Sequence, residues 1–159
     1  VANKAIPDLP AAAPLTGAEQ FEVIQAGNSR RTTVAEIAGA GATAPGAPVD
    51  IASFAPGIPA ADQRVMRYVA ARAIEFPDDF AGSQGSASNG ATALTVFRIR
   101  KNGSDFGLMV FGAGATTASF STGAGALDCI AGDVIEVLAP SSPDATLANV
   151  ALTLVAARM

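Results

Sequence analysis

Acidic side chains in turns are the main groups of this chain with types and spacing that could do chemistry. Asp78 and Asp79 are adjacent in "FPDDFAGS", Asp128 and Asp133 bracket "CIAG", and Asp144 lies in "SSPDAT". Two carboxylates held about 5–9.5 Å apart can cleave a glycosidic bond. Carboxylates joined by carbonyl oxygens can instead hold calcium. Each of these aspartates, however, lies in a stretch broken by glycine or proline, where a short carboxylate caps backbone N–H groups and shapes the turn. Turn formation is therefore preferred over calcium binding, and calcium over catalysis.

The rest of the inventory points the same way. The chain has no histidine, which removes Ser-His and Cys-His nucleophile pairs and histidine-ligated metals together. Its one cysteine, Cys129, excludes an internal disulfide. Set between Leu127 and Ile130, it reads as a small buried hydrophobe. There is no tryptophan and a single tyrosine, Tyr68, so an aromatic platform for sugars is poorly provided. The string "GAGAT" occurs at 39–43 and again at 112–116, and neither copy completes a G-x-G-x-x-G phosphate loop. The expectation is a protein that is not an enzyme and needs neither cofactor nor metal.

Charge narrows the partners. A net charge of −4 with 15% charged residues leaves no electrostatic footprint for nucleic acid. The basic "RIRK" at 98–101 reads as a strand with Arg98 and Arg100 on one face. No apolar run approaches the roughly 18 residues of a membrane span, and no charged-then-apolar leader appears at the front. Half of the residues are hydrophobic, but 36 of them are alanine, and Leu, Ile, Val and Phe together number 38. A core built from so few large side chains is thin, which favours help from neighbouring subunits.

The elements that would position these residues follow from the local patterns. Residues 1–20 hold three prolines, so the stretch is expected to be an extended arm. It carries Ile6, Leu9 and Leu15 at spacings suited to touching another surface. Phe21 to Gln25 and Arg31 to Val34 form a short hairpin about the turn "AGNS". Thr33 and Glu36 make a capping box that opens a helical turn through Ile37. Residues 39–48 contain only Gly, Ala, Pro and Thr and read as a linker.

From there on the chain reads as strands: 49–55, 65–76, 93–101, 105–112, 117–121, 126–130, 134–139 and 147–157. Asn102-Gly103 is a two-residue type I′ hairpin turn. The last strand alternates, with Val150, Leu152, Leu154 and Ala156 on one face. "FGLMVFG" is apolar on both, with Phe106, Leu108 and Val110 on one face and Met109 and Phe111 on the other. One face is core and the second implies a covering partner, so these five residues are the candidates for a subunit interface. The fold class is mainly β: an extended arm with a short β-hairpin, then an antiparallel β-sandwich or jelly roll of about eight strands. The division is 1–40 for arm and hairpin, 41–60 for linker and first strand, and 61–159 for the jelly roll.

Two stretches resemble known proteins. "IPDLPAAAPLTGAEQFEVIQAGNSRRTTVAEIA" (Ile6 to Ala38) is similar to an N-terminal segment of structural proteins of tailed bacteriophages. The later words Phe76-Pro77, Gly82-Ser83, Lys101-Asn102-Gly103, Ala131-Gly132-Asp133, Ala139-Pro140 and Pro143 to Leu147 resemble the tumour-necrosis-factor-like jelly-roll modules of phage capsid decorations and fibres. The resemblance implies a homotrimeric virion protein, assembled in the host cytoplasm and resident on the capsid surface. It would be a decoration (cement) protein, docking on the major capsid protein through Ile6, Leu9, Leu15, Phe21 and Ile24. The alternative it allows is a tail- or head-fibre adhesin whose outer loops bind a host glycan. Neither role involves nucleic acid or a membrane.

Overall fold

The structure is a computed structural model that describes residues 20–25, 28–33 and 46–159. The chain divides into two compact units, Val1–Ala44 and Pro45–Met159. In the first, β1 (Gln20–Gln25) and β2 (Asn28–Thr33) pair antiparallel, with Phe21 opposite Thr32 and Gln25 opposite Asn28. The expected hairpin is present, but Asn28 and Ser29 belong to its second strand rather than to the turn. The arm with Ile6, Leu9 and Leu15, and the helical turn after Thr33, lie outside the described residues.

The second unit runs β3 (Pro48–Ala55), β4 (Arg64–Val69), β5 (Ile74–Phe76), a 3-10 turn (Asp78–Phe80) and β6 (Gln84–Ser86). It continues through β7 (Thr95–Lys101), β8 (Ser104–Phe111), β9 (Ala118–Thr122), β10 (Leu127–Cys129), β11 (Val134–Leu138) and β12 (Val150–Arg158). These strands form two antiparallel sheets. One has the order β10-β5-β12-β3, with β6 also on β12; the other has the order β4-β11-β7-β8-β9. The pairings nest: β3 with β12, β4 with β11, β5 with β10, and β7 with β8. Pairing first with last and second with next-to-last is a long hairpin rolled over on itself, the jelly-roll scheme.

Local sequence explains most of the scheme. β12 buries Val150, Leu152, Leu154 and Ala156 and half-exposes the residues between them, as its alternation requires. Asn102 and Gly103 carry φ values of 50° and 84° and join β7 to β8 in two residues, the backbone that Asn-Gly supplies most readily. The core between the sheets is filled by Phe76, Phe80, Phe97, Phe111, Ile74, Ile99, Met109 and Ile135, all fully or almost fully buried, with Leu154, Val137 and Val150.

Three expectations are corrected. The single strand at 65–76 is two strands in different sheets. The chain crosses between them at Ala70, whose N–H donates to the Asp133 carbonyl while its own carbonyl accepts from Gly132. The jelly roll starts before residue 61: the strand expected at 49–55 is β3, which pairs with β12 over eight register positions from Pro48 to Ala55. β6 lies in a stretch with no hydrophobic alternation, and its central Gly85 explains why it fits. A side-chain carbon there would stand 2.8 Å from the Ala118 methyl and 3.2 Å from Met109 Sδ.

Candidate functional site

The acidic turns are structural clasps. Asp144 Oδ2 accepts from Thr92 N (2.9 Å), Thr92 Oγ1 (2.5 Å) and Ala93 N (3.2 Å), and its Oδ1 from Thr146 N (2.8 Å), Thr146 Oγ1 (2.6 Å) and Leu147 N (3.1 Å). These donors, the hydroxyls of Thr146 and Thr92 first, hold its carboxyl far below the usual carboxylate range. Lone pairs committed to that many protein donors are not free to bind a cation or to take a proton from a substrate.

Asp133 caps the β10–β11 turn. Its Oδ1 accepts from Asn102 Nδ2 at 2.8 Å, and its Oδ2 accepts from Ile130 N at 3.0 Å and pairs with Lys101 Nζ at 3.0 Å. The Asn102 amide, then the Ile130 N–H and Lys101, lower its pKa to about 2. Asp78 and Asp79 close on Thr122: its hydroxyl donates to Asp78 Oδ1 at 2.7 Å and its N–H to Asp79 Oδ1 at 2.8 Å. Asp128 is exposed on β10. Among the described residues no three His, Cys, Asp or Glu side chains converge as a metal would need. Cys129 is buried, and desolvation pushes its thiol up to about 11, so it stays protonated and inert at neutral pH.

Two outward sheet faces remain, and both carry charged residues. On the β4-β11-β7-β8-β9 face, Leu108 stands opposite Arg98 and Val110 opposite Val96. Four arginines share this face or its rim, and all have partners. Arg64 and Arg67 reach Glu136 at 2.6 and 3.5 Å, Arg98 reaches Asp62 at 2.9 Å, and Arg100 reaches Asp105 at 2.5 Å. On the other sheet, the register sets Phe54–Ala151–Ser86 and Ala52–Thr153–Gln84 in adjacent cross-strand rows. These two rows carry no charge, although Asp50 stands in the next row opposite Val155, and Phe54 is 60% exposed among them. Leu94 and Ile130 are more exposed but lie in connections; of the exposed large apolar side chains on strands, Phe54 is the most open.

The five interface candidates on β8 therefore separate. Met109 and Phe111 are 0% exposed and belong to the sandwich's own core, so they cannot meet a partner. Phe106 does not share the face of Leu108 and Val110. A register shift leaves it unpaired between Asp105, opposite Arg100, and Gly107, opposite Ile99, and it turns onto the core, edge-on to Phe80 at 6.1 Å. Leu108, 39% exposed, and Val110 remain outward. Of the docking candidates, Phe21 and Ile24 lie on β1; Ile6, Leu9 and Leu15 are outside the described residues.

The Phe54 patch was the residue set that sequence reasoning missed. The alternation of Ile51 and Ala55 inward with Ala52 and Phe54 outward is written in "IASFA". The strands beside Phe54 come from positions 84–86 and 150–158, which no local pattern connects to it. Comparison of the chain with family models, curated proteins and solved structures returned no match.

One end of the sandwich is also nearly uncharged. The connections 56–63, 87–94, 112–117 and 139–149 meet there, and Asp62 and Asp144 are their only charged residues. Both are engaged, one by Arg98 and the other by Thr92 and Thr146.

Proposed function

We propose that this chain is a structural virion protein, a capsid decoration protein that binds and stabilises a major capsid lattice as a homotrimer. What supports the reading is the resemblance of Ile6 to Ala38 to a front segment of phage structural proteins, together with a separate compact jelly-roll unit that exposes Phe54 on a sheet face. Lattice binding falls to the front unit and self-association to the jelly roll. We assign the subunit contact to the surface around Phe54 rather than to Leu108 and Val110. Interface cores are depleted of charge, whereas Leu108 and Val110 stand among arginines already paired within the chain.

A fibre-tip adhesin is the second reading, favoured by the uncharged loop end, which would suit a neutral glycan. Copy number separates the two. A cryo-EM map of the parent particle is expected to show this sandwich at every equivalent lattice position. Density confined to one vertex, the tail or a fibre would overturn the decoration reading in favour of the adhesin.

A further inference from the structure

The chain contains two Asn-Gly pairs, Asn89-Gly90 and Asn102-Gly103, and the structure treats them in opposite ways. The Asn102 carboxamide is held at both atoms. Its Nδ2 donates to Asp133 Oδ1 at 2.8 Å, and its Oδ1 accepts from Val134 N at 2.9 Å. The Asn102 backbone N–H adds a third bond, to the Val134 carbonyl at 2.8 Å. Asn89 is exposed, and among the described residues its carboxamide makes no hydrogen bond. Its backbone is held on one side: Asn89 bridges Ala148, and the Gly90 carbonyl lies 2.9 Å from Thr146 Oγ1, whose proton goes to the closer Asp144.

We propose that Asn89 is a site of spontaneous backbone-assisted deamidation, and that Asn102 is protected by its clasp. The Gly90 nitrogen, losing its proton to solvent base, attacks Cγ of Asn89. A C–N bond forms, the carboxamide nitrogen leaves as ammonia, and a five-membered succinimide results. Water then adds to one of the two ring carbonyls and opens the ring to an aspartyl or isoaspartyl residue at position 89. Glycine in second place favours the attack because no Cβ shields its nitrogen. At Asn102 the same attack must first break both carboxamide hydrogen bonds. It must also build negative charge beside the Asp133 carboxylate, and both requirements oppose it.

The product matters because of where it forms. A new carboxylate enters the loop end that otherwise carries only Asp62 and Asp144. The isoaspartyl form also routes the main chain through Cβ, lengthening it at the bridge to Ala148 and pulling on the Gly90–Thr146 contact.

The test is to age the full chain at mildly alkaline pH and map peptides by mass spectrometry, with isoaspartyl methyltransferase labelling. Loss of the carboxamide is expected at position 89 with retention at position 102, and Asn89→Gln should abolish the labelled product. Asp133→Ala, checked for a cooperative melt, should open Asn102 to the same conversion. Conversion at Asn102 as fast as at Asn89 in the unaltered chain would overturn the proposal. So would full retention at Asn89 under conditions that convert an unfolded peptide of the same sequence.

Discussion

A side-chain carbon on Gly107 would stand 2.6 Å from Cε2 of Phe80 and 2.7 Å from the Ser121 carbonyl oxygen. Phe80 reaches that position from a loop rather than a strand. Asp79 and Phe80 both hold positive φ, 52° and 50°, a backbone that bulky residues rarely adopt. The chain accepts this because the ring then packs among Phe76 at 5.7 Å, Phe106 at 6.1 Å and Phe120 at 6.4 Å. Thr122 holds the turn shut through Asp78 and Asp79. Gly107→Ala is therefore expected to destabilise the sandwich by about 1–3 kcal/mol through overpacking. Phe80→Ala should cost about 3–5 kcal/mol by leaving a cavity. Urea unfolding of both variants measures this, and an unchanged midpoint for Gly107→Ala would contradict the close approach.

Acid should loosen the turns before it affects the core. Asp133 has a folded pKa of about 2, against about 3.9 for an unperturbed aspartate. A depressed pKa contributes stability that is present above the unfolded value and lost as pH falls through the folded one. The window for Asp133 is thus from about pH 4 down to about pH 2, and Asp144, lowered further, continues below it. The melting temperature is expected to fall on acidification from pH 5 to pH 2. Asp133→Asn should lower it at pH 5 and flatten part of that slope, as read by calorimetry at several pH values.

Subunit contact is tested by two matched charge insertions. Phe54→Asp places a carboxylate in the uncharged rows, and Leu108→Asp places one beside Arg98 on the other sheet. Both positions are exposed enough in the single chain for the sandwich to keep its fold. Sedimentation is expected to show trimers for the unaltered chain and for Leu108→Asp, and monomers for Phe54→Asp. The opposite pattern would move the interface to β8.

What could be read from the sequence depended on how local its cause was. The Asn102-Gly103 turn and the alternation of β12 are set by adjacent residues, and both are as the sequence implies. The strand at 65–76 looked continuous because its apolar residues continue through Ala70. The break comes from hydrogen bonds to Gly132 and Asp133, 62 and 63 positions away along the chain. β6 was invisible because Gly85 serves by having no side chain. Phe106 was assigned to the wrong face because a bulge changes side-chain direction without leaving a sequence mark. The acidic turns were legible as turns, while the partners that saturate Asp144, Thr92 and Thr146, come from two different loops.

The division of labour between the two units gives the most exposed prediction. If the front unit docks the protein on a capsid, Ile6, Leu9, Leu15, Phe21 and Ile24 are the side chains available to bury there. Each large apolar side chain buried is worth roughly 1.5–3 kcal/mol. Fixing each backbone residue costs about 1–2 kcal/mol, so a single arm is close to break-even and one subunit alone should bind weakly. Three arms on one trimer change the balance, because later contacts are intramolecular and avidity adds about 10²–10⁴ in affinity. Removing residues 1–44 leaves the described strand pairings of the sandwich intact, since among the described residues β3 to β12 pair only with one another. The truncated chain is therefore expected to melt cooperatively and sediment as a trimer, yet to leave undecorated particles bare in a pelleting assay. Phe54→Asp in the full chain should also bind poorly, through lost avidity rather than lost contacts. Full occupancy by the truncated chain would place the docking surface on the jelly roll instead.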